Sequence, residues 1–117
     1  AIAAFAKDGV QALVVISAMA TERRHVVKLA LCQRWPIKGA ARQFAAEGAL
    51  LSYAVDTLGN FRRAAYYVDR ILKGAKPGDL PIELPTEFTI AVNLKTAQAL
   101  GIAVPPSVLQ RATEVIQ

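Results

Sequence analysis

The stretch Leu72–Pro106, LKGAKPGDLPIELPTEFTIAVNLKTAQALGIAVPP, carries five of the six prolines in the 117-residue chain. Proline fixes its own φ, lacks an amide donor and pushes the residue before it away from the helical region. No helix or central strand can therefore run through residues 75–85. The chain has to leave one compact unit here and place its last elements elsewhere.

Before that punctuation, helix and strand patterns alternate. Residues 2–8 read as the end of a helix closed by Gly9, and residues 10–16 as a strand. The later half of that strand is apolar on both faces, which predicts a central parallel strand with helices on each side. Residues 21–34 predict a helix with Val26, Val27, Ala30 and Leu31 inward. A short strand at 35–38 follows, with Pro36 tolerated near its start. Next come a short helix at 40–47 stopped by Gly48 and a strand at 49–55. Asp56 or Thr57 then caps a long helix in which Leu58, Phe61, Ala65, Val68 and Leu72 recur at helical spacing up to Gly74.

After the connector, residues 87–92 predict a strand and Asn93 a cap for a helix over 94–100 closed by Gly101. Pro105 and Pro106 start a last helix expected to end near Ile116. Alternation of this kind argues for an α/β fold: a small three-layer parallel sheet with flanking helices. Three or four strands are few for a doubly wound sheet, which normally has five or more.

Composition narrows the function classes. A hydrophobic content of 54% supplies a core, and the apolar run Ala12–Ile16 is of strand length. One cysteine, Cys32, and one histidine, His25, build neither a disulfide nor a zinc or haem set, so no metal and no cofactor are expected. Cys32 reads as a small buried hydrophobe and His25 as a surface side chain. The net charge of +5 is spread over Arg23–Arg24, Arg62–Arg63 and Lys73–Lys76 in separate elements. That dispersal predicts a solvated surface and no nucleic-acid partner. No G-x-G-x-x-G or G-x-S-x-G is present, and no nucleophile, base and orienter assemble, so the chain is not expected to be an enzyme. Glu83 and Glu87 are expected to be solvated, and the adjacent Tyr66 and Tyr67, about 100° apart on a helix, cannot both line one pocket.

Ligands of open parallel sheets bind beyond the carboxyl ends of the strands. Here that rim comprises Ser17 and Met19 after the first strand, Lys38 after the second, and Ser52, Tyr53 and Asp56 around the third. Hydroxyls can hydrogen-bond a solute, Tyr53 can stack on it, and Lys38 can meet a carboxylate. Ser17 and Asp56 have a plain alternative as helix caps, and Tyr53 as a gap filler.

The segments FRRAAYYVDRILKGAKPGDLPIELPTEFTIAVNLKTAQALGI and PPSVLQRATEVI resemble the carboxyl-terminal part of the ABC-transporter substrate-binding proteins of the ABC sub-bind type. WPIKGAARQFAAEGALLSYAVD resembles the cleft-side segment that precedes it in that family. Arg42 and Phe44 match the family pattern; Gly39 stands where an aromatic residue is usual, and Ser52-Tyr53-Ala54 where Ser-Tyr-Gly is usual. The resemblance implies part of one lobe of a type I periplasmic binding protein. Residues 1–75 would form a partial second-lobe unit, 76–85 the connector between lobes, and 86–117 a terminal strand and two helices.

The function so implied is a solute-binding component of an ABC-type uptake transporter, periplasmic or extracytoplasmic. It would bind a small, amino-acid-like organic solute without chemistry and present it to a membrane permease. Tyr53, with Ser52 beside it, is the best-carried ligand neighbour. With its neighbouring strands missing, the chain is expected to form a homo-oligomer through an exposed sheet edge or its terminal helices. A free-standing α/β regulatory or protein-interaction module is the alternative.

Overall fold

In the computed structural model, residues 2–16 and 21–117 are described. Their elements run α1 (Ile2–Lys7), β1 (Leu13–Val14), α2 (Arg23–Cys32), β2 (Ile37–Gly39), α3 (Arg42–Ala46), β3 (Leu51–Val55) and α4 (Thr57–Leu72). After a 3₁₀ turn at Pro77–Asp79 come β4 (Phe88–Asn93), α5 (Leu94–Leu100), α6 (Pro106–Arg111) and β5 (Glu114–Ile116). The five strands form one sheet in sequence order. The fold is α/β, with helices flanking a mostly parallel sheet.

β1 pairs parallel with β2, β2 with β3, and β4 with β5. Between β3 and β4 the sense reverses. The Asn93 amide donates to the Leu50 carbonyl and the Asp56 amide to that of Glu87, both at 3.0 Å, so rising numbers on one strand meet falling numbers on the other. The expected all-parallel sheet is thus interrupted once, because β4 returns along β3 after the proline segment.

Two further expectations are corrected. β1 is an edge strand: Val15 points into the core while Val14 and Ile16 stand exposed. Its double-sided apolar character therefore marks a sheet face uncovered among the described residues, and not a central position. The last helix stops at Arg111, and 114–116 is a strand. Ala112 is extended, and Thr113 then grips Ile90 three ways: its amide and hydroxyl donate to the Ile90 carbonyl, both at 2.8 Å, and its hydroxyl accepts from the Ile90 amide at 2.9 Å. The β-branched Val115 and Ile116 suit the strand that this clamp starts.

Packing divides the chain into two units, residues 1–54 with 89–117, and residues 55–88. In the first, Val26, Val27 and Ala30 of α2 meet Val15, Trp35, Ile37, Phe44 and Ala49 in the main core. Leu31 packs beside them, as the helical spacing predicts. Cys32, by contrast, is exposed, since the helix turns it away from that inward stripe. Gly48 is required by its φ of +111°, and a Cβ there would stand 3.2 Å from Leu31 Cδ1. Asn93 ties α5 to α3: its Oδ1 accepts from the Thr96 amide at 3.0 Å while its Nδ2 donates to the Ala45 carbonyl at 2.9 Å.

The second unit is α4 with the connector. Asp56 caps α4, its Oδ1 accepting from the Leu58 amide at 3.1 Å. The helix has the predicted apolar spacing, but Leu58, Phe61, Val68, Ile71 and Leu72 along it are all exposed.

Candidate functional site

β2 and β3 lie side by side in parallel register, Lys38 against Leu51 and Gly39 against Ser52. Side chains alternate along a strand, so neighbours on one face come from alternate positions. Lys38 and Tyr53 meet on one face, the Lys38 ammonium 5.9 Å from the centre of the Tyr53 ring. Tyr53 is 43% exposed, so an aromatic surface beside a cation is open to solvent. An ammonium over a ring is a weak attraction, and a cation beside a ring is a pairing that suits a planar or anionic ligand.

Ser52 points the other way. It is fully buried, and its hydroxyl finds no hydrogen-bond partner among the described residues. The structure therefore separates it from Tyr53 despite their adjacency in sequence. Asp56 serves as the α4 cap, the plain role that the sequence left open. Ser17 and Met19 lie outside the described residues.

Tyr53 also lines a hollow of about 330 Å³ with Leu51, Ile90, Ser107, Val108 and Arg111. Arg111, a second cation at a largely apolar hollow, was invisible to a reading confined to the strand ends. It lies on α6, more than fifty residues further along the chain, and only the return of β4 along β3 places it beside Tyr53.

Gly39 explains one departure from the pattern of similar sequences. A Cβ there would fall 2.2 Å from Phe44 Cβ and 2.4 Å from its Cγ, so the Phe44 ring occupies the space that a side chain at 39 would take. Arg42, at the start of the same short helix, is committed elsewhere: its Nε and Nη2 fork onto Glu114 at 2.5 and 2.7 Å. Arg23 and Arg24 both reach Glu47, at 3.0 and 3.1 Å. Much of the positive charge is thus paired within the first unit.

The larger hollow, about 570 Å³, belongs to the second unit and is lined by α4 from Asp56 to Tyr67 and by residues 83–87. Glu83, expected to be solvated, is held by a two-pronged contact from Arg63. That contact, with help from the Tyr67 hydroxyl, keeps the Glu83 carboxyl below its usual range. Glu83 in turn holds the Arg63 guanidinium above its ordinary value. Desolvation, and then Glu83, push the Tyr67 phenol up. Tyr66 and Tyr67 stand edge to face at 5.8 Å, and only Tyr67 lines the hollow, in keeping with their helical separation. Among the described residues no three His, Cys, Asp or Glu side chains converge as metal ligands, and no helix is long and apolar enough to cross a membrane.

The family model described as ABC transporter substrate binding protein matches residues 1–116. Among solved structures, an ABC domain in complex with L-Trp from Streptococcus pneumonia is similar at a TM-score of 0.83 and 32% identity, over 92% of this chain and 37% of that one. A conserved domain protein from Vibrio cholerae is similar at 0.78 and 29% identity, over 87% of this chain and 34% of that one. A ligand-free, open substrate-binding protein with adhesive properties from Clostridium difficile shares the fold at 0.62 and 21% identity, over 89% of this chain and 35% of that one. No curated protein matches the sequence. The chain spans about a third of the length of each of these structures.

Proposed function

Since the chain belongs to the ABC transporter substrate-binding protein family, we propose that it forms one wall of a solute-binding cleft in an ABC-type uptake system and binds a small organic solute without chemistry. The observation that carries this reading is the family match over residues 1–116, joined to a sheet whose Lys38–Tyr53 pair offers a cation and an open ring on one face. A ring and a cation suit an aromatic, zwitterionic solute, and the similar streptococcal domain was solved with L-Trp.

In this reading the Tyr53 ring stacks on the solute and Lys38 meets its carboxylate. The partner is a membrane permease, and the working place is extracytoplasmic. Residues 55–88 belong against the remainder of a two-lobed protein. The exposed apolar residues of α4, together with Ile82 and Leu84 of the connector, support this: a helix with an apolar stripe normally buries it. In the isolated chain that stripe is available to a second copy, so self-association is expected.

A cleft needs two walls, and one wall gives little burial of a small ligand. Calorimetric titration of L-tryptophan into the 117-residue chain should therefore show binding no tighter than about the millimolar range, near −4 kcal/mol. Micromolar binding by a demonstrated monomer would refute the two-wall account.

A further inference from the structure

The segment between the 3₁₀ turn and β4 is held in place by very little. Ile82 is 100% exposed and Leu84 is 83% exposed, so apolar burial does not fasten it. Among the described residues its backbone-to-backbone bonds lie at the ends: the Leu80 amide donates to the Pro77 carbonyl at 3.3 Å, and the Glu87 carbonyl accepts from the Asp56 amide at 3.0 Å. Between these ties, the hydrogen bonds of residues 81–86 to α4 come, among the described residues, from two side chains. Arg63 forks onto Glu83, with Nε to Oε2 at 2.6 Å, and the Tyr67 hydroxyl donates to the Pro81 carbonyl at 2.8 Å. The two groups are one turn apart on α4, and the Arg63 guanidinium also lies 5.2 Å from the Tyr67 ring centre, so they brace each other.

Under this segment lies the 570 Å³ hollow, with Gly59, Asn60, Arg63, Ala64 and Tyr67 on the helix side. We propose that residues 81–86 are a strap closed over this hollow by a single latch, the Arg63–Glu83 fork together with the Tyr67–Pro81 hydrogen bond. The prolines at 81 and 85 stiffen the strap, so closing it sacrifices little chain entropy and a few surface contacts suffice. A planar guanidinium matched to a carboxylate supplies direction as well as attraction, which an ordinary surface ion pair lacks. Opening the latch frees the strap between its end ties and uncovers the helix face from Gly59 to Tyr67, leaving the sheet intact. The device is independent of the solute-binding reading.

Backbone ¹⁵N relaxation on the whole chain tests it. In the unaltered chain, Ile82, Glu83 and Leu84 should have order parameters near those of rigid backbone, about 0.8 or above. In Arg63→Gln and in Glu83→Gln they should fall below about 0.6, and Tyr67→Phe should lower them by a smaller step. Asn93 and Ile102, whose amides are bonded within the other unit, should keep their order in all three variants. Unchanged order at 82–84 in the two Gln variants would overturn the latch. So would loss of order at Asn93 and Ile102 together with the strap, since the latch would then hold the fold and not the strap.

Discussion

At Gly39 a single methyl decides whether α3 packs. An added Cβ would stand 2.2 Å from Phe44 Cβ, and Phe44 is fully buried with no room to retreat. Overpacking of this kind costs about 1–3 kcal/mol, so Gly39→Ala should lower the unfolding free energy by that amount, read as a lower urea midpoint at unchanged slope. Ser52 gives the opposite expectation. Its buried hydroxyl has no partner among the described residues, so Ser52→Ala removes an unmet desolvation cost and should leave stability unchanged or slightly raised in the same assay.

The latch residues carry the pH dependence. Glu83 has its carboxyl lowered by Arg63, so its contribution is present above the ordinary carboxylate range, near pH 4, and is lost as pH falls through the depressed value. Tyr67 has its phenol raised, so its contribution is present below the ordinary phenol range, near pH 10, and is lost as pH rises through the raised value. Strap order, followed by relaxation at Ile82 and Leu84, should therefore hold between those limits and fall off on both sides.

Among the elements, the junction of β4 and α5 is the one whose loss spreads furthest. Asn93 caps α5 and also satisfies the Ala45 carbonyl at the end of α3, both within buried surroundings. Asn93→Ala should cost about 1–3 kcal/mol, a lost cap plus a lost buried bond to a carbonyl that keeps only the Gly48 amide at 3.1 Å, seen as a lower urea midpoint.

The same junction shows what the sequence made legible. A short polar residue before LKTAQALG announces its own cap, and Gly101 in the left-handed region announces the stop, so α5 was readable to the residue. The inward stripe of α2 was readable for the same local reason. β5 was not, because Glu114, Val115 and Ile116 become a strand only when Thr113 is clamped to Ile90, a contact spanning 23 residues. The reversal between β3 and β4 and the approach of Arg111 to Tyr53 are likewise products of tertiary return, with no local signal. Of the candidate rim, Lys38 and Tyr53 were both named from the strand ends and stand side by side, whereas the burial of Ser52 depended on which face of β3 turned inward.

At the scale of the molecule, two exposed apolar surfaces stand out: the stripe Leu58, Phe61, Val68 and Leu72 on α4, and Val14 and Ile16 at the β1 edge. Water tolerates scattered apolar residues, but contiguous ones drive association. The chain should therefore self-associate at high micromolar concentration in sedimentation velocity, and replacing Leu58 and Phe61 together by Gln should shift it toward monomer. A monomeric unaltered chain under those conditions would mean that these surfaces are covered intramolecularly.

We propose the Lys38–Tyr53 face as the solute wall of a substrate-binding protein. Titrating the common L-amino acids at millimolar concentration into the ¹⁵N-labelled chain, with amide shifts followed residue by residue, tests it most directly. Concentration-dependent shifts for an aromatic amino acid are expected, centred on Lys38, Gly39, Tyr53 and Ala54 and abolished by Tyr53→Ala. Concentration-dependent shifts centred elsewhere and indifferent to Tyr53→Ala would contradict it.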